Sequence, residues 1–381
     1  MIEPQSLIDT TITPGLPAPF WFIQFLKVLG FSLHEVPMNL WYAGIICSMI
    51  LAAAGHPQGR RFSSRLMSQM PVLIALGVNF GIVPLLFIQV AYSKLFYPAT
   101  ILMAWFWLAV IVLLTPAYYG VYIYAFGLYD NERTMRRWKR VVGWISAVAF
   151  ILIGFIFANA LTLTDNAAAW PEIWQKTSVG AAPTGTGLNL GDARLWPRWL
   201  MMFGMALTTT AAWLVVDLAW FGGRESDDYR RWAPEFALKL YAVGAVWYWV
   251  TAAWYLFLTW PTETLRAMFL SPWAILMVLT GLSPFGVGAM LFLRRQQAQP
   301  VTRGWAAAVG LVQFAMLLIN AISRQVVQNH EVSRYFDVAG QPVQTQWSSL
   351  VVFLVSLIAG IAGVAWMLGQ LPKAQPSDAA H

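Results

Sequence analysis

Four histidines are the residues best suited to chemistry in this chain. His34 lies in FSLHEVPMNLWYAG and His330 in ISRQVVQNHEVSRYFD, each at the edge of an apolar stretch. His56, in AGHPQGRR, reads as a solvated position, and His381 is the terminal residue. Two neutral imidazoles on different helices at one depth can ligate a single haem iron. Arg324 and Arg334, with Lys27, fall on the same side and suit the propionate carboxylates of such a haem. There is no CxxCH segment, so the group expected is a b-type haem, not one attached through thioethers. An iron held by two imidazoles is saturated and transfers electrons without binding oxygen. The alternative is that each histidine caps a helix end or bonds a loop. Met38, Met205 and Met268 are conceivable ligands, but methionine in apolar spans usually packs. Glu35, beside His34, is placed to accept a hydrogen bond or a proton. No residue set marks a catalytic centre.

The elements that must position these residues are transmembrane helices. Hydrophobic residues make up 59% of the 381 and charged residues 11%. A soluble domain carries about 25% charged residues, so much of this surface must face lipid. A crossing needs about 20 mainly apolar residues. Nine such stretches fall near 37–55, 69–91, 100–125, 141–163, 199–222, 237–259, 272–293, 304–326 and 348–370. The apolar stretch 15–33 contains Lys27 and runs into the first span without a polar loop. It reads as an interfacial helix or as an outward extension of that span. The 24 Lys and Arg residues divide sixteen to eight between the two sides, which puts the N-terminus outside and the C-terminus inside. His34 and His330 then both lie on the outer side. The net charge of +7 is this topology signal and calls for no nucleic acid partner.

The fold expected is therefore all-α: a polytopic transmembrane helix bundle of about nine spans, periplasmic N-terminus, cytoplasmic C-terminus. Residues 1–36 form a periplasmic segment with the interfacial helix, 37–370 the membrane domain, and 371–381 a mobile cytoplasmic tail. No cleavable signal peptide is evident at MIEPQSLIDTTITPG. The sizeable outer loop is 164–197. Cys47 is the only cysteine, which rules out an intrachain disulfide. Ionisable groups at membrane depth are costly and therefore few. Asp217 is expected to reach inner headgroups or to pair with Arg224 or another inner base. Asn79 and Asn159 read as hydrogen-bonding glue between helices. With no chain of buried carboxylates legible, a proton pump is disfavoured.

QFLKVLGFSLHEVPMNLWYAGIICSMILAA resembles the opening of the large subunit of cytochrome bd quinol oxidases. There a first-span histidine that ligates haem is followed closely by Val-Pro. The resemblance puts that role on His34. ALGVNFGIVPLLFIQVAYSKLFY is similar to the family's second-span segment, and nine spans with an outer N-terminus match that subunit. The chain departs from the family in three ways. It has no Asp or Glu from Gly81 to Tyr97, its link at 260–271 is short where the family has a large quinol-binding loop, and no histidine serves a separate low-spin haem.

What the resemblance implies is a bd-like b-type haem protein of the bacterial inner membrane. It would carry electrons in a respiratory chain between quinol and a periplasmic c-type cytochrome or another subunit of a membrane complex. Two other classes stand beside it. One is a transporter or channel, with a central polar cavity from Asn79, Asn159, Gln313 and Asn320. The other is a cofactor-free structural subunit of a membrane redox complex.

Overall fold

The computed structural model describes residues 15–131, 135–295 and 301–370. The expected segment 1–14 and tail 371–381 lie outside the described residues. The chain is a helical bundle whose only sheet among the described residues is a two-residue hairpin, β1 (Ser178–Val179) with β2 (Ala182–Pro183). In chain order the helices are α1 (Phe20–Ala54), α2 (Pro57–Ala91), α3 (Ser93–Leu102), α4 (Ala104–Asn131), α5 (Arg137–Asp165) and α6 (Trp170–Thr177). They continue as α7 (Leu195–Phe221), α8 (Asp227–Thr259), α9 (Thr262–Phe269), α10 (Trp273–Arg295), α11 (Arg303–Val332) and α12 (Trp347–Gln370).

Eight of these helices are long and apolar enough to cross a bilayer: α1, α2, α4, α5, α7, α8, α10 and α11. The 24-residue α12 follows where a ninth crossing is expected. The chain is thus an all-α, multi-pass membrane protein. Of the two readings of 15–33, the structure takes the extension. From Phe20 the helix runs without a turn to Ala54, so among the described residues 15–33 form neither a separate interfacial helix nor a crossing of their own. At 35 residues α1 is longer than a bilayer requires. Leu16, ahead of it, is tied by backbone hydrogen bonds to Pro342 and Gln344. Pro37 cannot donate to the helix ladder, and a π-helical turn at Leu40–Gly44 takes up the misfit.

Helix starts follow local chemistry where the chain is wet. The Ser226 hydroxyl accepts from Tyr229 N–H, with Asp227 and Asp228 in the first turn of α8. Thr302 caps α11 by accepting from Trp305 N–H. Inside the bundle, small residues set how closely helices approach. Gly204 of α7 and Gly244 of α8 meet backbone to backbone. A Cβ on Gly204 would lie 2.7 Å from Tyr248 N, and one on Gly244 would lie 2.8 Å from Gly204 O. No side chain larger than hydrogen fits that crossing.

The two ends of the bundle differ. One carries the 166–194 segment, α9, the 333–346 segment and the start of α1, and is called the loop-rich end below. The other carries the α1–α2, α7–α8 and α10–α11 links. At this opposite end Arg65 binds Asp217 (2.6 Å) and Glu225, Arg61 binds Glu225 (2.6 Å), and Gln69 donates to Asp217 (2.8 Å). Asp217 therefore pairs with a base, as expected, and that base is Arg65.

Candidate functional site

His34 sits on the face of α1 that packs against α2. Its Nδ1 lies 2.7 Å from the carbonyl oxygen of Gly77. A carbonyl only accepts, so Nδ1 carries the proton and Nε2 keeps its lone pair. That is the tautomer a metal-binding histidine adopts when its other nitrogen donates to a backbone carbonyl. Gly81, one turn on from Gly77, makes room for the ring. A Cβ there would come within 2.8 Å of the imidazole Nδ1 and Cε1. Trp41 stands edge-on to the ring at 5.7 Å and rests on Gly77. The pair Gly77 and Gly81 thus cradles a histidine and a tryptophan from α1.

His330 is elsewhere. The α1 and α11 helices run antiparallel, with Gln24 bonded to Asn329 (2.8 Å), Lys27 to Gln325 (2.7 Å) and Gln328 (2.5 Å), and Arg324 over the Phe31 ring (4.6 Å). In that register His330 is level with Gln24, ten residues from His34, a separation of about 15 Å along the helix. His34 follows Lys27 by seven residues and so lies on the same side of α1, whereas on α11 His330 lies off the face (Arg324, Gln325, Gln328, Asn329) that meets α1. The structure therefore does not bring His34 and His330 together, and the expectation that they share one iron is corrected. Helix phase and helix length separate two residues that membrane side alone had grouped.

The two arginines part company as well. Arg334 donates to Thr264 Oγ1 (3.0 Å) and Glu263 Oε2 (3.4 Å) at α9. Arg324 lies against Phe31 and takes no hydrogen-bond acceptor among the described residues. As a test of fit to haem, the arrangement offers one imidazole in the right tautomer at His34. It also offers a buried, unpartnered Nε2 at His330, on a separate site. Among the described residues no group of three or more His, Cys, Asp or Glu side chains gathers as metal ligands.

What sequence reading missed is a buried charged network at the loop-rich end. Asp165, at the last residue of α5, accepts from Arg198 (3.2 Å) and from Gln328 Nε2 (2.7 Å). The same Gln328 accepts from Lys27, which also lies 4.7 Å over the Tyr92 ring. Arg194 bridges Asp192 (2.7 Å) and Glu331 (2.9 Å). Tyr92 and Gln24 close the network through Asn329. Lys27, Asp165, Asp192 and Glu331 are all buried. Two buried carboxylates on α5 and α11 thus stand where no carboxylate chain was legible. The signal available was the run Gln325, Gln328, Glu331 at three-residue spacing, one polar stripe on an otherwise apolar helix.

Outside the membrane-spanning segments, Asp192 and Glu225 show how such groups are held. Burial raises the Asp192 carboxyl, but hydrogen bonds and charge from Arg194 outweigh it and leave it below the ordinary carboxylate value. Glu225 is lowered against its own burial by Arg61 and Arg65. Because the folded values lie below the unfolded ones, this stability is present above the unfolded carboxylate value and is lost as pH falls through the folded value. Unfolding midpoints in detergent are expected to be flat from pH 7 to about 5 and to fall below about pH 4. Asp192→Asn should show a smaller acid slope, and an unchanged slope would refute the assignment.

The transporter reading needs a shared polar cavity, and the amides named for it are dispersed. Asn159 accepts from the Asn189 backbone (2.9 Å), Gln313 donates to Thr208 and Thr209 (3.2 Å), and Asn320 donates to Tyr248 (3.0 Å). Asn79 donates to its own helix at Ala75 O (2.8 Å) and faces outward. Among the described residues neither Asn79 nor Asn159 bonds another spanning helix, contrary to expectation. The groove along α8, about 620 Å³ and lined by Leu200, Val243, Val246, Trp247, Val250 and Trp254 among others, is apolar and contains no histidine.

No family model and no curated protein matches this chain. In structure the chain is similar to a chain of the bd oxidase from Geobacillus thermodenitrificans. The TM-score is 0.61 at 11% identity, over 93% of this chain and 98% of that one. The fold is thus that of a bd-oxidase-like transmembrane bundle. At this identity the likeness defines the fold and leaves the chemistry to the site.

Proposed function

We propose that the chain is a bd-like electron-transfer protein of the bacterial inner membrane that holds a b-type haem on His34. The observation that carries this reading is the Nδ1–Gly77 hydrogen bond, which leaves Nε2 as the free ligand nitrogen on a residue backed by Gly81. The haem would supply one-electron chemistry by cycling its iron between the ferric and ferrous states. The chain's own part is to fix the imidazole tautomer, orient the ring against Trp41 and keep water from it. Arg324, with its guanidinium bonded to no carboxylate among the described residues, is the better candidate for a propionate partner. Arg334 is held by Thr264 and Glu263. His330 would at most serve a second, separate group. With the N-terminus outside, the loop-rich end would face a periplasmic c-type cytochrome or a partner subunit, and quinone would reach the protein from the bilayer.

A cofactor-free structural subunit of a membrane redox complex is the second reading, favoured by the separation of His34 from His330. The absorption spectrum of the purified chain, from haem-replete cells, divides the two. A Soret band that shifts on dithionite reduction is expected. His34→Ala should remove at least nine-tenths of it, while His330→Ala should leave it. Colourless folded protein, or full haem retention in His34→Ala, would sink the proposal.

A further inference from the structure

The bases at the end of the bundle opposite the loop-rich one are not all treated alike. Arg61 and Arg65 are answered by Glu225 and Asp217, and Arg231 is answered by Asp228 (2.7 Å). The start of α5 differs. Arg136, Arg137, Lys139 and Arg140 put four cations into five residues. Arg136, Arg137 and Arg140 are exposed and bond no carboxylate among the described residues. Topology explains why bases collect at this end. It does not explain why these stay unanswered at the head of an apolar face. Val141, Trp144, Val148 and Leu152 follow Arg137 at helical spacing, exposed and on its side of the helix.

This exposed face has an end. Leu152 is 45% exposed, but Ile156 is 6% exposed, and Ala158, Asn159 and Ala160 are buried as well. From Val141 to Leu152 the helix rises about 16 Å, close to half of a hydrocarbon core about 30 Å thick. The face therefore matches one leaflet, the one whose headgroups lie level with Arg136, Arg137 and Arg140. Guanidinium donors match phosphate oxygens in pairs, and long cationic side chains at the end of a span reach into the headgroup layer. Trp138 and Trp144 are exposed beside them, and an amphipathic indole suits that boundary. A phosphate above and an acyl chain below complement such a face. A zwitterionic headgroup would bring its own cation against the arginines, and an anionic one would not.

We infer that this face of α5 is a binding site for an anionic phospholipid. Arg137 and Arg140, with Arg136 beside them, hold its phosphate, and one acyl chain lies along Val141, Trp144, Val148 and Leu152. Titrating phosphatidylglycerol into the full-length chain in non-ionic detergent tests it, with bound lipid counted by native mass spectrometry. One phosphatidylglycerol is expected to bind about tenfold tighter than phosphatidylcholine. A base near an anionic headgroup contributes about fivefold in affinity, so Arg137→Gln/Arg140→Gln should weaken binding about twenty-five-fold. Arg137→Lys/Arg140→Lys keeps both charges and should retain most of the affinity. Arg230→Gln/Arg231→Gln removes two exposed bases at the same end and should leave binding unchanged. The substituted positions are exposed, so folding is expected to survive, and circular dichroism checks this. Equal affinity for the two lipids would overturn the inference. So would equal losses in the two glutamine variants, displacement of the lipid by inorganic phosphate, or a co-purifying subunit covering α5.

Discussion

Replacing Arg65 with Met should lower the stability of the bundle by about 3 kcal/mol. The Arg65 side chain is 9% exposed and sits between Asp217, at 1%, and Glu225, at 5%. Without it Asp217 keeps only the Gln69 amide, and a buried carboxylate with no countercharge is the costly outcome. Glu225 fares better, because Arg61 still reaches it through Nε (2.8 Å) and Nη2 (2.6 Å). Arg61 is 48% exposed, so Arg61→Met is expected to cost less than about 1 kcal/mol. Unfolding of the detergent-solubilised protein by rising denaturing detergent measures both. Equal losses for the two variants would show that burial does not decide the ranking.

At the loop-rich end, Asp165→Leu should cost about 3–5 kcal/mol. The Asp165 carboxylate is fully buried, and its two oxygens serve Arg198 from α7 and Gln328 from α11. Its loss strands the Arg198 guanidinium, 13% exposed, with Glu331 as its remaining countercharge at 3.9 Å. Gln328 would also lose the acceptor that steadies its contact with Lys27. Asp165→Asn preserves shape and one acceptor and should cost about half as much. The double variant Asp165→Leu/Arg198→Met removes both charges together, and it should be more stable than Asp165→Leu alone. The same denaturing titration gives all three values. A double variant less stable than the single one would refute a direct ion pair.

These two clusters also mark where reading the chain as a string succeeds and fails. Asp217 was legible because one acid in a long apolar stretch stands out and a base was the natural partner. Its actual partner, Arg65, comes from a different helix. Asp165 and Glu331 were not legible as buried groups, because each lies at the end of a span where an acid ordinarily meets water. Their burial depends on the segment 166–194 folding back over them. Trp170 anchors that segment, with its indole N–H donating to Leu163 O (2.9 Å).

The histidines make the same division sharper. Apolar stretches and the Lys/Arg split determined by themselves that the chain is a multi-pass helical bundle, and the opening residues carried the likeness to bd oxidases. Those are additive properties, summed along about 20 residues at a time, so they survive without any knowledge of neighbours. Membrane side is of that kind. Depth within a side and the face of a helix are not. They depend on the register of α1 against α11 and on which neighbour each face meets. Only the tertiary structure decided that His34 turns toward Gly77 and Gly81 while His330 lies about 15 Å away. A shift of one residue rotates a helix face by about 100°, a turn that no count of apolar residues records.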